Sequence, residues 1–120
     1  QLLPGNFSRL TASQVKADIN NKDDVHRPLS RLVRLENPAN RGGGTCYDFN
    51  DIQSIKAVCL NNNLSLHLDG ARLFNAIVAK KESPEQYGKT FDSISVCLSK
   101  GLGAPVGSVL LGTKDFIKKA

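Results

Sequence analysis

Apolar positions along the chain fall into two rhythms. At three- and four-residue steps Phe49, Ile52, Ile55 and Cys59 recur, which predicts a helix with one buried stripe, opened by a cap at Asp48 and stopped by Asn61-Asn62-Asn63. Thr11 with Gln14 three positions on has capping-box spacing and predicts an earlier helix to about Asn20, burying Val15 and Ile19. Ala71 to Lys80, with Leu73, Phe74, Ala76 and Ile77 apolar, predicts a third helix. Ser83-Pro84-Glu85 starts a short helical turn, and Thr113 caps a last helix through Lys119.

Strands are predicted at Leu29 to Leu35, Leu64 to Asp69, Ser93 to Leu98 and Val109 to Leu111. The first three are separated by helices, which demands parallel pairing in an α/β sheet with helices on both faces. The segment between Lys100 and Ser108 is too short for a crossover helix, so the last strand runs antiparallel to its predecessor. Four strands with no sign of both sheet edges read as part of a larger, mostly parallel sheet. The absence of methionine and the opening Gln1-Leu2-Leu3-Pro4-Gly5 fit a piece of a longer protein or a processed chain, without a signal-peptide pattern.

Composition narrows the classes without naming one. Forty per cent apolar and 22 per cent charged residues are ordinary globular usage, and no apolar run has membrane-spanning length. The net charge of +5 raises nucleic-acid binding, but the basic residues are scattered and no aromatics interleave with them, so that reading is set aside. Cys46, Cys59 and Cys97 have no metal-ligand spacing; Cys59 and Cys97 read as buried small hydrophobes, and the setting as reducing and cytoplasmic.

In open α/β sheets, ligands bind beyond the carboxyl ends of the parallel strands. Three polar clusters fall there: Glu36-Asn37, Asp69 with Arg72, and Ser99-Lys100. A carboxylate, a guanidinium and an amine at one rim suit an anionic ligand that also offers a cationic nitrogen and a carbonyl. Pyridoxal phosphate bearing an amino acid meets those requirements. Each residue also has a plainer role. Asp69 fits a helix N-cap, Arg72 a salt bridge to Asp69, and Lys100 a solvated turn. His67, between Leu66 and Leu68, reads as a hydrogen-bonded core histidine, and His26 fits a loop surface as well as a site. Asn75 and Phe74 read as packing residues, and Cys97 lies too deep in its strand for a nucleophile. The glycine-rich loop Asn40 to Thr45 lacks the lysine and the strand-to-helix setting of a nucleotide phosphate loop.

Two stretches, His67-Leu68-Asp69-Gly70-Ala71-Arg72-Leu73-Phe74-Asn75-Ala76 and Ser95 through Ser99-Lys100-Gly101-Leu102-Gly103-Ala104-Pro105-Val106-Gly107-Ser108, closely resemble the L-threonine aldolase family, with Glu36-Asn37 where that family carries a similar pair. The resemblance runs from about Leu10 onward. It implies a pyridoxal-phosphate enzyme with the aspartate aminotransferase type of fold, residues 1–120 being a fragment of the large cofactor-binding domain. It implies Lys100 as the Schiff-base lysine, Asp69 as partner of the pyridine nitrogen, Arg72 near the ring and on the substrate carboxylate, and Ser99 on the phosphate. The reaction implied is cleavage of L-threonine or L-allo-threonine to glycine and acetaldehyde, by a homotetramer built as a dimer of dimers. The family's phosphate turn, its ring-stacking histidine and a second substrate arginine lie outside this stretch, so the 120 residues alone are expected to be inactive. A β-eliminating lyase on the same scaffold, and a non-catalytic truncated module, are the alternatives.

Overall fold

The structure, a computed structural model, describes residues 2–120; Gln1, and with it the first residue of the opening stretch, lies outside them. Four strands pair in the order β1-β2-β3-β4: β1 (Leu32–Glu36), β2 (Ser65–Gly70), β3 (Ser93–Cys97) and β4 (Ser108–Gly112). β1, β2 and β3 are parallel and β4 is antiparallel to β3, as the short connection requires.

β1 begins three residues later than the apolar pattern predicts. Asn20 explains the difference: its Nδ2 donates to the Pro28 carbonyl and its N–H to Ser30 Oγ. Those contacts hold residues 28–30 against the end of the first helix, and the ladder starts where Ser65 N–H donates to Arg31 O.

Five helices complete the described residues: α1 (Ala12–Ala17), α2 (Phe49–Asn61), α3 (Leu73–Lys80), α4 (Pro84–Thr90) and α5 (Lys114–Lys119). The Thr11–Gln14 capping box is formed in both directions, although α1 ends at Ala17 rather than Asn20. Asp48 precedes α2 but makes no side-chain cap; its carboxylate pairs with Lys80 at the far end of α3, tying two helix ends together. Asn63 turns the chain into β2 with a φ of 55°.

Alternation sorts the sheet into two faces. Leu35, Leu66, Leu68, Ile94 and Val96 point to one side and form the core with Ile52, Ile55 and Cys59 of α2, Leu73 and Ile77 of α3, and Tyr87 and Phe91. The other face carries Arg34, Glu36, His67, Asp69, Ser93 and Ser95. There α5 lies against β4: a side chain at Gly112, which is in register with Ser93, would run into the Phe116 ring. Helices therefore sit on both faces. Cys59 is buried as expected, whereas Cys97, on the polar face, is only half-buried. No helix among the described residues is long and apolar enough to cross a membrane.

Candidate active site

Two rows of side chains run across the polar face near the carboxyl ends of the parallel strands. Arg34, His67 and Ser93 are in register, and one step further so are Glu36, Asp69 and Ser95. His67 Nδ1 lies 2.8 Å from Ser93 Oγ, so the expected hydrogen bond is formed, but His67 is half-buried on the polar face and not in the core that its apolar neighbours suggested. Burial, and then the Arg34 guanidinium, hold the imidazole below its ordinary pKa, with Asp69 pulling the other way.

Asp69 is fixed through both carboxylate oxygens. Oδ1 accepts from Ala71 N–H at 3.2 Å, a turn of the kind aspartate forms with the backbone two residues on. Oδ2 accepts from Arg34 Nη2 on β1. The capping role therefore falls within the turn; α3 itself starts later, with Arg72 in the N-cap position and no side-chain cap. The expected Asp69–Arg72 salt bridge is not the one formed. Arg72 sits half-buried at the start of α3, and the partner of Asp69 comes from the neighbouring strand.

Glu36 and Asn37 part company. Glu36 stays on the polar face, half-buried, but Asn37 is wholly buried, its amide turned into the protein between Tyr47 and Tyr87. It is not available to a ligand at the rim.

Ser99 and Lys100 follow β3 after Leu98, and both are exposed. Their loop is pinned at its base, where Leu98 N–H donates to Gly107 O and Ala104 N–H to Leu98 O. Gly103, with a φ of 73°, closes a turn by donating to the Lys100 carbonyl at 3.0 Å. Gly101 comes so close to Asn75 Oδ1 that a Cβ there would collide with it. Asn75 N–H in turn donates to the Arg72 carbonyl at 2.9 Å. Asn75, expected only to pack, thus connects the Lys100 loop to the Asp69–Arg72 turn, though its residue is exposed.

A cavity of about 1000 Å³ lies elsewhere. It runs between the N-terminal segment, α1 and the open edge of β1, lined by Leu3, Val15, Leu32 and Arg34 among others, and none of Asp69, Arg72, Ser99 or Lys100 lines it. No group of three or more metal-ligating side chains occurs among the described residues.

Across residues 2–120 the sequence matches the profile of the Beta-eliminating lyase family. The chain belongs to that family. It is 43% identical over 120 residues to the low-specificity L-threonine aldolase of Saccharomyces cerevisiae, covering 99% of this chain and 30% of the yeast protein. With the Eremothecium gossypii low-specificity L-threonine aldolase it shares 42% identity over 120 residues, 99% of this chain and 31% of that one. Among solved structures, a candidate L-allo-threonine aldolase from Listeria monocytogenes EGD-E superposes with a TM-score of 0.80 at 33% identity, over 98% of this chain and 31% of that chain. A Leishmania major threonine aldolase superposes with a TM-score of 0.83 at 23% identity, which speaks for the fold. The chain spans less than a third of the length of these curated relatives.

The donor set suits pyridoxal phosphate. A carboxylate held on one oxygen by Ala71 N–H suits a protonated ring nitrogen, an amine stands on the exposed turn after the next strand, and Arg72 precedes α3. Two contributors were not predicted. Arg34 could have been found from its two-residue spacing to Glu36, once β1 and β2 were known to be adjacent and in this register. The role of Asn75 rests on a loop-to-helix contact that no spacing encodes.

Proposed function

We propose that the full-length protein is a pyridoxal-phosphate-dependent aldehyde-lyase that cleaves L-threonine or L-allo-threonine to glycine and acetaldehyde, and that these 120 residues are the lysine-bearing part of its large domain. The observation that carries this reading is the 43% identity to the yeast low-specificity L-threonine aldolase, with Asp69 and Lys100 at the carboxyl ends of adjacent parallel strands. The cofactor, when bound, supplies an electron sink for breaking the bond between the α- and β-carbons.

The residues divide the remaining work. Lys100 Nζ would hold the cofactor covalently, and the pinned loop limits where that amine can reach. Asp69, whose carboxylate is held by Ala71 N–H and Arg34, would accept from the protonated ring nitrogen and keep it charged. Arg72 pairs with the substrate carboxylate, and Ser99 Oγ donates to a phosphate oxygen. The full-length protein is read as a cytoplasmic dimer of dimers acting on small amino acids.

Elimination rather than retro-aldol cleavage is the second reading, favoured by the description of the matching family. Product analysis of the full-length protein separates them. Acetaldehyde with an equal amount of glycine from threonine supports the aldolase, whereas ammonia and a keto acid from serine or an aromatic amino acid, without glycine, support the eliminating lyase.

A further inference from the structure

Asn37 and Tyr87 are both fully buried, are fifty positions apart, and meet through their polar ends. A buried primary amide needs partners for its donor and acceptor atoms alike. Here Asn37 Oδ1 accepts from Tyr47 N–H at 3.1 Å and Nδ2 donates to Tyr87 Oη at 3.1 Å. A phenol has a single proton to give. Tyr87 gives it to Glu82 Oε2, 2.5 Å away, so toward Asn37 it can only accept. The chain of bonds therefore has one direction, Asn37 to Tyr87 to Glu82. Flipping the amide would set its NH2 against Tyr47 N–H and its oxygen against the Tyr87 lone pairs.

The ring is clamped as well. Phe49 meets it edge-on with centroids 5.4 Å apart, and Phe91 stacks at 6.2 Å. With its side chain held so firmly, Asn37 sends its backbone N–H to the Asp69 carbonyl at 3.2 Å, the last bond between β1 and β2. Asp69 is thus fixed twice, its carboxylate by Ala71 and Arg34, its backbone by Asn37.

We infer that Tyr87 is a positioning residue for Asp69, acting from the far side of the sheet through the side chain and backbone of Asn37. The inference rests on the reading of Asp69 as the residue that faces the cofactor ring. Removing the Tyr87 hydroxyl frees the Asn37 amide to turn, loosens the Asn37–Asp69 bond, and lets the Asp69 carboxylate drift from the ring nitrogen.

The test uses the full-length holoenzyme and four variants: Tyr87→Phe, Asn37→Ala, their double, and Asp69→Ala. Ile55→Val, a core change in the middle of α2 that bonds to none of Asn37, Tyr87 and Glu82, serves as a stability control. In Y87F, amide exchange at Asn37 is expected to rise about tenfold, the magnitude of one lost buried hydrogen bond. The bound cofactor's visible absorption band should move in the same direction as in D69A, by less. Turnover should fall about tenfold with KM within twofold. I55V should lower the melting temperature and leave exchange at Asn37 and the band in place. Because Tyr87 acts through Asn37, the double variant should be no worse than N37A alone.

An unmoved band and unchanged exchange in Y87F, or effects that add in the double variant, overturn the inference. If D69A itself leaves both band and turnover unchanged, the reading of the site fails instead. Should Y87F not accumulate as folded protein, Glu82→Ala is measured in its place. It removes the acceptor and keeps the aromatic packing, so a smaller shift of the same sign supports the inference and an unmoved band overturns it.

Discussion

Arg34 and Asp69 form an ion pair across the β1–β2 boundary, diagonal to the register that sets Arg34 opposite His67 and Glu36 opposite Asp69. The pair places a positive charge beside an imidazole and beside the carboxylate that we propose faces the cofactor ring. Replacing Arg34 should be felt at both.

The first consequence concerns His67. Arg34 is one of the two influences that depress its imidazole, after burial. Arg34→Ser should therefore raise the His67 pKa toward its ordinary value, measured by NMR titration of the ring protons in the full-length protein. An unchanged or lower pKa would show that Arg34 does not face His67. In the unaltered protein the depressed pKa means that the unfolded chain binds the proton more readily. His67 therefore adds stability that is fully present above about pH 6.5 and is lost as pH falls through the folded value.

Asp92 makes a second, structural prediction. Burial acts to raise its pKa, but the Lys56 ammonium, at 2.8 and 2.9 Å from its two oxygens, and Leu66 N–H at 2.7 Å outweigh that and hold it below the usual 3.8. Its contribution is complete above about pH 4 and disappears as pH falls through the lowered value. Asp92→Asn should cost about 0.5–1 kcal/mol at neutral pH and flatten the acid side of the stability profile, read by denaturant unfolding of the full-length protein. A profile of unchanged steepness below pH 4 would remove Asp92 from that role.

Two glycines separate crowding from flexibility. A Cβ at Gly42 would strike the Phe7 carbonyl oxygen and Thr45 Oγ1, whereas at Gly88, within α4, nothing stands in the way. Gly42→Ala should lower the melting temperature, because a backbone atom must move. Gly88→Ala should stabilise by about 0.5–1 kcal/mol, through reduced freedom of the unfolded chain and better helix propensity. Thermal unfolding of the two full-length variants checks both signs; the same sign for both would contradict the packing described.

Much of this was legible from residues read locally. The Thr11–Gln14 box, the Ile52, Ile55 and Cys59 stripe, the Thr113 cap and the antiparallel last strand depend on spacing and connection length alone, and each is present. Asp48 shows where local reading stops. A carboxylate before a helix predicts a cap, but the Lys80 ammonium, 32 positions away, takes it. Asn37 belongs to the same class: its place at a strand end suggested a ligand contact, and its burial follows from Tyr47 and Tyr87, which only the tertiary fold brings near. The motif residues were found as two separate stretches. Their connection through Gly101 and Asn75 needed the three-dimensional arrangement.

The central claim is that the amine at position 100 captures the cofactor. Full-length protein incubated with pyridoxal phosphate, reduced with borohydride and digested should yield one peptide carrying a reduced pyridoxyl group on Lys100, and Lys100→Ala should yield none. Label on another lysine, or a reducible visible band that survives in Lys100→Ala, would contradict the account.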